Sequence, residues 1–168
     1  MLQTARLIIQ PLTYDQLVKY IRADHSLEAE LRLKPSPVLI SPDLKEALEQ
    51  AILPNVADSK RNYLYHTLWT IISKDGHQMV GDMCFVGEPT ATGEVEIGYG
   101  THECHRGKGY MTEAVHALVQ WAIHQPGVNS VIASTLKDNA ASYAVLQKNG
   151  FIKTGESADM FHWKYDIR

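Results

Sequence analysis

Residues 94–115 read EVEIGYGTHECHRGKGYMTEAV, and the change of period inside this stretch decides the fold. From Glu94 to Thr101 the side chains alternate, which sets Glu94 and Glu96 on one face of a strand and Val95, Ile97 and Tyr99 on the other. From Gly107 onward the apolar residues recur at helical spacing. Met111, Ala114, Val115, Leu118 and Ala122 make a stripe that ends near Pro126-Gly127. The stretch is a strand, a loop holding two glycines, and a helix.

Downstream, Val128 to Leu136 reads as a strand, and Asp138-Asn139 caps a helix carrying Ala141, Val145 and Leu146 that Gly150 stops. Strand, helix and strand in succession make a βαβ unit, so the two strands are parallel with a right-handed crossover. Phe151 to Thr154 and Ala158 to Ile167 add two strands. Upstream, Tyr63 to Ser73, a turn at Lys74-Asp75-Gly76, and Gln78 to Val86 form a hairpin that leads as an antiparallel meander into Glu94. Arg6 to Gln10 is a short strand, and Thr13 starts a helix with Leu17, Val18, Tyr20 and Ile21 on its apolar stripe. Ser41 and Pro42 open a second helix that runs to Pro54, and the intervening Ser26 to Ile40 reads as irregular. No repeat or linker divides the chain. The expectation is one α+β domain over residues 1–168, with a mixed central sheet of about seven strands flanked by helices.

The chain has 168 residues, 45% apolar and 21% charged, which excludes long disorder. Sixteen Lys and Arg against 19 Asp and Glu leave a net charge of −3, without the basic excess of a duplex nucleic-acid binder. No apolar run approaches the ~18 residues of a membrane span, and the N-terminus lacks a signal-peptide core. No nucleic acid and no membrane are expected as partners, and the expected compartment is the cytoplasm. The two cysteines, Cys84 and Cys104, then read as free thiols.

Arg106-Gly107-Lys108-Gly109-Tyr110-Met111 lies where the strand hands over to the helix. It suits either a tight turn or an anion cradle, since a helix N-terminus offers unpaired N–H groups and glycines let an anion approach the backbone. A nucleotide P-loop would need Ser or Thr at Gly109, and a dinucleotide fingerprint would need Gly at Glu103 or Thr112. Both are excluded.

The segment resembles the acyl-CoA pyrophosphate loop of the GNAT N-acetyltransferase superfamily, whose pattern is Gln or Arg, two residues, Gly, one residue, then Gly or Ala. Met111 departs at the last position. EIGYG before the loop, Asn139-Ala140-Ala141-Ser142, and Gln147-Lys148-Asn149-Gly150-Phe151 extend the match over Glu94 to Gly155, in the manner of the RimJ/RimL-type branch. That resemblance implies a sheet splayed into a V and an acetyl-CoA-dependent N-acetyltransferase without metal. The acceptor it implies is a protein N-terminal α-amine or a small-molecule amine, on a monomer or homodimer. By position, backbone groups of Ile97, Gly98 and Tyr99 would pair with the pantetheine arm, and Arg106, Gly107, Lys108, Gly109, Tyr110 and Met111 would hold the pyrophosphate. Asn139 would orient the arm.

Direct attack by a neutral amine needs proton removal and a donor near the leaving sulfur. The superfamily's frequent tyrosine, seven residues after the Asn, is Leu146 here, so Ser142 is the candidate sulfur donor; its other reading is a helix-start serine. Glu96, or else Glu94, is the candidate base or orienter of a base water, against an ordinary ion pair on a half-exposed face. With no histidine expected beside them, an amine of low pKa is the expected acceptor rather than a lysine side chain. Tyr110 and Tyr143 read as packing residues. His102-Glu103-Cys104-His105 lacks metal-ligand spacing and reads as a solvated loop. A catalytically weak acyl-CoA-binding sensor is the competing function.

Overall fold

The computed structural model describes residues 1–167. After the short β1 (Leu2–Gln3) the chain enters β2 (Leu7–Pro11), which buries Leu7 and Ile9. Thr13 caps α1 (Tyr14–Arg22): its hydroxyl accepts from the Gln16 amide at 3.3 Å while the Gln16 side chain accepts from the Thr13 amide at 3.0 Å. This reciprocal box satisfies two donors that a helix start leaves open. A short helix, α2 (Ser26–Glu30), occupies part of the segment expected to be irregular. It starts at His25 without a side-chain cap, so no local signal marks it, and burial of Leu27 holds it in place.

The Ser41 hydroxyl caps α3 (Pro42–Ala47), but the helical path does not stop at Pro54. A π turn over Leu48–Ile52 leads into α4 (Leu53–Ala57), with the Leu53 amide donating to the Leu48 carbonyl. Proline lacks an N–H and its ring crowds a carbonyl one turn back, and the wider π turn just before it makes room. Tyr63–Tyr65 is likewise a 3₁₀ turn rather than a strand, begun by the Asn62 side chain accepting from the Leu64 amide at 3.2 Å.

The meander follows as β3 (Leu68–Ser73), β4 (Gln78–Phe85) and β5 (Glu94–Thr101), then α5 (Tyr110–Ile123), β6 (Ser130–Leu136), α6 (Ala140–Lys148), β7 (Ile152–Glu156) and β8 (Met160–Asp166). The strands form one mixed sheet of eight in the order β1-β2-β3-β4-β5-β6-β8-β7; the two-residue β1 on the edge of β2 is the strand beyond the expected seven. β5 and β6 are parallel, but they pair only from Glu94 to Glu96 against Ser130 to Ile132. Beyond Glu96, β5 stays with β4 and β6 stays with β8, so the sheet splays into the expected V.

Each face carries its own core. Val95, Ile97, Val131 and Trp163 pack with Leu118 of α5 and Leu146 of α6, whereas Leu12, Leu68 and Ile72 pack with Leu17 and Tyr20 of α1 and with Leu48. Among the described residues no helix is long and apolar enough to cross a membrane.

Candidate active site

Gly107 and Gly109 both adopt left-handed backbone, at φ 76° and 78°, which explains glycine at these two loop positions. α5 begins at Gly109 without a side-chain cap, so its first-turn amides remain available to an anion. Met111, the residue that departs from the family pattern, points into the core, where its methyl group lies near Gly81.

Arg6, assigned by sequence only to a strand, braces this loop. Its Nη1 donates to the Lys108 carbonyl at 2.8 Å, its Nε to Glu113 Oε2 at 2.7 Å and its amide to Glu113 Oε1 at 2.9 Å. Its guanidinium also lies 5.0 Å from the centre of the Tyr110 ring. Burial pushes the Glu113 carboxyl up, but the bonds from Thr4 and Arg6 outweigh it and hold the group below the usual carboxylate range.

A cavity of about 550 Å³ runs from this loop to α6; Tyr99, Asn139 and Ser142 line it together with Arg106 to Met111. The Asn139 side chain accepts from the Ser142 amide at 3.2 Å and so caps α6. The Ser142 hydroxyl donates to the Tyr99 hydroxyl at 3.2 Å, which in turn donates to the Ser142 carbonyl at 2.9 Å. Burial pushes the Tyr99 phenol up to about 12, the Ser142 bond offsetting part of the rise, so it stays a protonated donor near neutrality. Tyr99 thus ties β5 to α6 across the opening of the V. Leu146 is fully buried, and Tyr143 packs against Phe161 and Trp163.

A second cavity, of about 720 Å³, lies over the opposite face of β5 and shares Tyr99, Gly100, Thr101 and Arg106 with the first. Gly98 and Gly100 continue the face that carries Glu94 and Glu96, and they leave the sheet bare where the cavity sits. Ile97 is buried in the core and lines neither cavity. Glu94 makes the ion pair its other reading anticipates, with Lys164 Nζ at 2.9 Å. Glu96 sits half-buried at the last rung of the β5–β6 pairing, outside both cavity linings and without an ion pair among the described residues.

His102 is not a solvated loop residue. Its ring turns back onto β4, with Nε2 3.0 Å from Asp82 Oδ2 and Nδ1 3.3 Å from the Met79 carbonyl; the Tyr20 hydroxyl donates to the same Asp82 oxygen at 2.6 Å. A histidine therefore does stand at the end of β5, but both of its nitrogens are engaged. Burial pulls its pKa down, and the hydrogen bond and charge of Asp82 with the Met79 carbonyl outweigh that, leaving it above the ordinary 6.5. A raised folded-state value stabilises fully below pH 6.5, and the contribution is lost as pH rises through the raised value. Melting curves of wild type and His102→Gln should therefore differ in slope over that interval, with the wild type losing more stability; parallel curves would remove the ion pair from the account.

Asp82, Tyr20 and Arg6 carried no local signal in the sequence. Cys104 is exposed and Cys84 lies against the larger cavity, its thiol pushed up to about 11 by burial. Among the described residues no three potential metal ligands cluster.

Residues 6–152 match the family model of the acetyltransferase (GNAT) domain. The uncharacterized N-acetyltransferase YjdG of Bacillus subtilis is 33% identical over 167 residues, covering 98% of this chain and 97% of its own. Among solved structures, the ribosomal-protein-S5-alanine acetyltransferase of Vibrio fischeri superposes with a TM-score of 0.70 at 19% identity, over 98% of this chain and 95% of that one. RimL, a ribosomal L7/L12 α-N-protein acetyltransferase in complex with coenzyme A, does so with a TM-score of 0.68 at 18% identity, over 98% and 96%. With the V, the uncapped helix start and the glycine loop in place, the chain belongs to the GNAT family of N-acetyltransferases.

Proposed function

We propose that the protein transfers acetyl from acetyl-CoA to a primary amine, either a protein N-terminal α-amine or a small-molecule amine. The observation that carries this reading is the meeting of the two cavities at Tyr99, Gly100 and Thr101, one ending on uncapped α5 amides and the other on a bare sheet face. Such a pair suits a phosphate-bearing donor on one side and an acceptor on the other.

The amides around Gly107 to Tyr110 hold the pyrophosphate, with Arg106 and Lys108 adding charge and Met111 packing the helix turn beneath. Past Glu96 the β5 edge facing the V has lost its strand partner, so backbone groups of Ile97, Gly98 and Tyr99 are suited to pair with the pantetheine amides. Asn139 orients that arm. The thioester supplies an activated acetyl group, which the amine nitrogen attacks directly while the thiolate leaves. The one Ser142 hydroxyl proton, donated to Tyr99 in this arrangement, would turn to the departing sulfur while Tyr99 keeps its bond to the Ser142 carbonyl, and Glu96 takes the amine proton directly or through water.

Incubation with acetyl-CoA and an amine panel, read as free-thiol release, tests the reaction; CoA binding with no amine-dependent thiol would favour a sensor. Ser142→Ala should lower kcat about tenfold or more with little change in the acetyl-CoA KM, because the sulfur gains charge only in the transition state. A wild-type kcat, with chemistry shown to limit the rate, would leave Ser142 a helix-start residue only.

A further inference from the structure

The larger cavity, of about 720 Å³, presents carbon rather than free polar atoms along its inner wall. Pro37, Leu39, Leu44, Leu68 and Cys84 line it, over the face of β5 that Gly98 and Gly100 leave bare. The polar side chains set into the same wall are already engaged with one another. Asp82 Oδ2 accepts from the Tyr20 hydroxyl and lies 3.0 Å from His102 Nε2, Asp82 Oδ1 is closed to solvent, and His102 Nδ1 lies 3.3 Å from the Met79 carbonyl. The Ser41 hydroxyl faces the Leu44 amide as a helix cap. Charged side chains with open surface, Glu103 and Arg106, stand only where the loop after β5 borders the cavity. A charged or polar group carried past them would give up water and meet no partner, whereas each methylene buried there gains about fourfold in affinity.

Leu39 points the same way. The segment that carries it is tied at both ends, by the Ser36 hydroxyl donating to the Met79 carbonyl at 3.3 Å and by the Ser41 cap on α3. Between these ties Val38 and Ile40 pack into the second core, while Pro37 and Leu39 turn out onto the cavity. Leu39 is left 86% exposed, at a place where an apolar ligand would cover it. Single exposed leucines are ordinary, but this one is held by a two-ended strap over an apolar space. Resting on the acetyl-transfer reading above, we infer that the acceptor is a primary amine borne on an uncharged apolar group, which lies along Gly98 and Gly100 beneath Leu39 while the nitrogen sits where the V opens. That group is the side chain of an N-terminal residue or the body of a small amine, and Leu39 is a specificity-determining residue for either.

The test compares heptylamine with 6-aminohexanol, in which a hydroxyl replaces the last methyl, binding to the CoA-loaded protein by calorimetry. Their length suits the bare face, which runs on the order of 10 Å from Glu96 to Gly100 at about 3.3 Å per residue. Heptylamine should bind at least tenfold more tightly. Leu39→Asn, at a side chain with little packing to lose, should lower that ratio at least threefold. Gly100→Leu, whose added Cβ meets nothing within 4 Å and whose side chain would fill the cavity, should bring it close to one. A wild-type ratio near one, or a ratio unchanged in both folded variants, overturns the inference. Leucylglycinamide and serylglycinamide, compared in the same way, separate the two sources: a leucine preference that Gly100→Leu abolishes assigns the cavity to an N-terminal side chain, and its absence beside a heptylamine preference assigns it to a small amine. Thiol release from acetyl-CoA, followed in parallel, separates the inference from the reading it rests on. A variant-sensitive ratio without transfer refutes the transferase and leaves the apolar site standing, and transfer to both amines at a ratio near one does the reverse.

Discussion

Gly109→Asp should weaken CoA binding by more than tenfold while the protein stays folded. At φ 78° aspartate is among the residues that tolerate left-handed backbone, at a cost of about 1–2 kcal/mol. Its Cβ would stand 3.3 Å from Arg6 Nη2, the guanidinium nitrogen that takes no part in the bonds to Lys108 and Glu113, so a small shift relieves the contact with the brace in place. The new carboxylate would sit at the start of α5, where no side chain now caps the amides, and would itself become the cap. An intramolecular anion would then hold the donors that the pyrophosphate needs and repel its charge. Calorimetric titration with CoA beside a thermal melt reads both effects, and an unchanged CoA affinity in a folded variant would falsify the phosphate assignment.

Leu118→Ala should cost about 2–5 kcal/mol, a large share of the ~5–15 kcal/mol that holds a domain together. Leu118 is fully buried in the middle of α5, inside the cluster that includes Val95, Val131 and Leu146. For a chain of this size each kcal/mol shifts the midpoint by about 2–4 °C, so a drop on the order of 5–15 °C is expected by calorimetry. A drop under about 2 °C would mean that the neighbours collapse into the space and that α5 is held mainly by other contacts.

Elements with local chemistry were legible in the sequence. The alternation from Glu94 to Thr101 matches β5 residue for residue, and Thr13, Ser41 and Asn139 each cap the helix that follows through a bond within three residues. The loop could be found because glycine at two left-handed positions leaves a mark. Where the stabilising contact is distant, the reading failed or fell silent. α2 has no cap and depends on burial of Leu27, and the helix that passes Pro54 depends on a π turn that residue type does not announce. His102 looked like a solvated residue because its partner, Asp82, stands 20 positions away on β4. Glu94 and Glu96 were correctly placed on one face, but only the structure separates them, pairing Glu94 with Lys164 across the sheet.

The Arg6 brace has a consequence for how the glycine loop comes into being. The two ends of that contact lie 107 residues apart, so the half of the chain containing every recognisable motif does not contain the residue that steadies the loop proposed to hold the pyrophosphate. During synthesis Arg6 leaves the ribosome long before Glu113 and Lys108 exist, and the loop takes its final shape only when the first long strand has docked against the helix made later. An excised fragment beginning at β5 would keep the glycines and the helix start yet bind CoA loosely, and an extension fused ahead of Met1 could disturb cofactor affinity from the far end of the polypeptide.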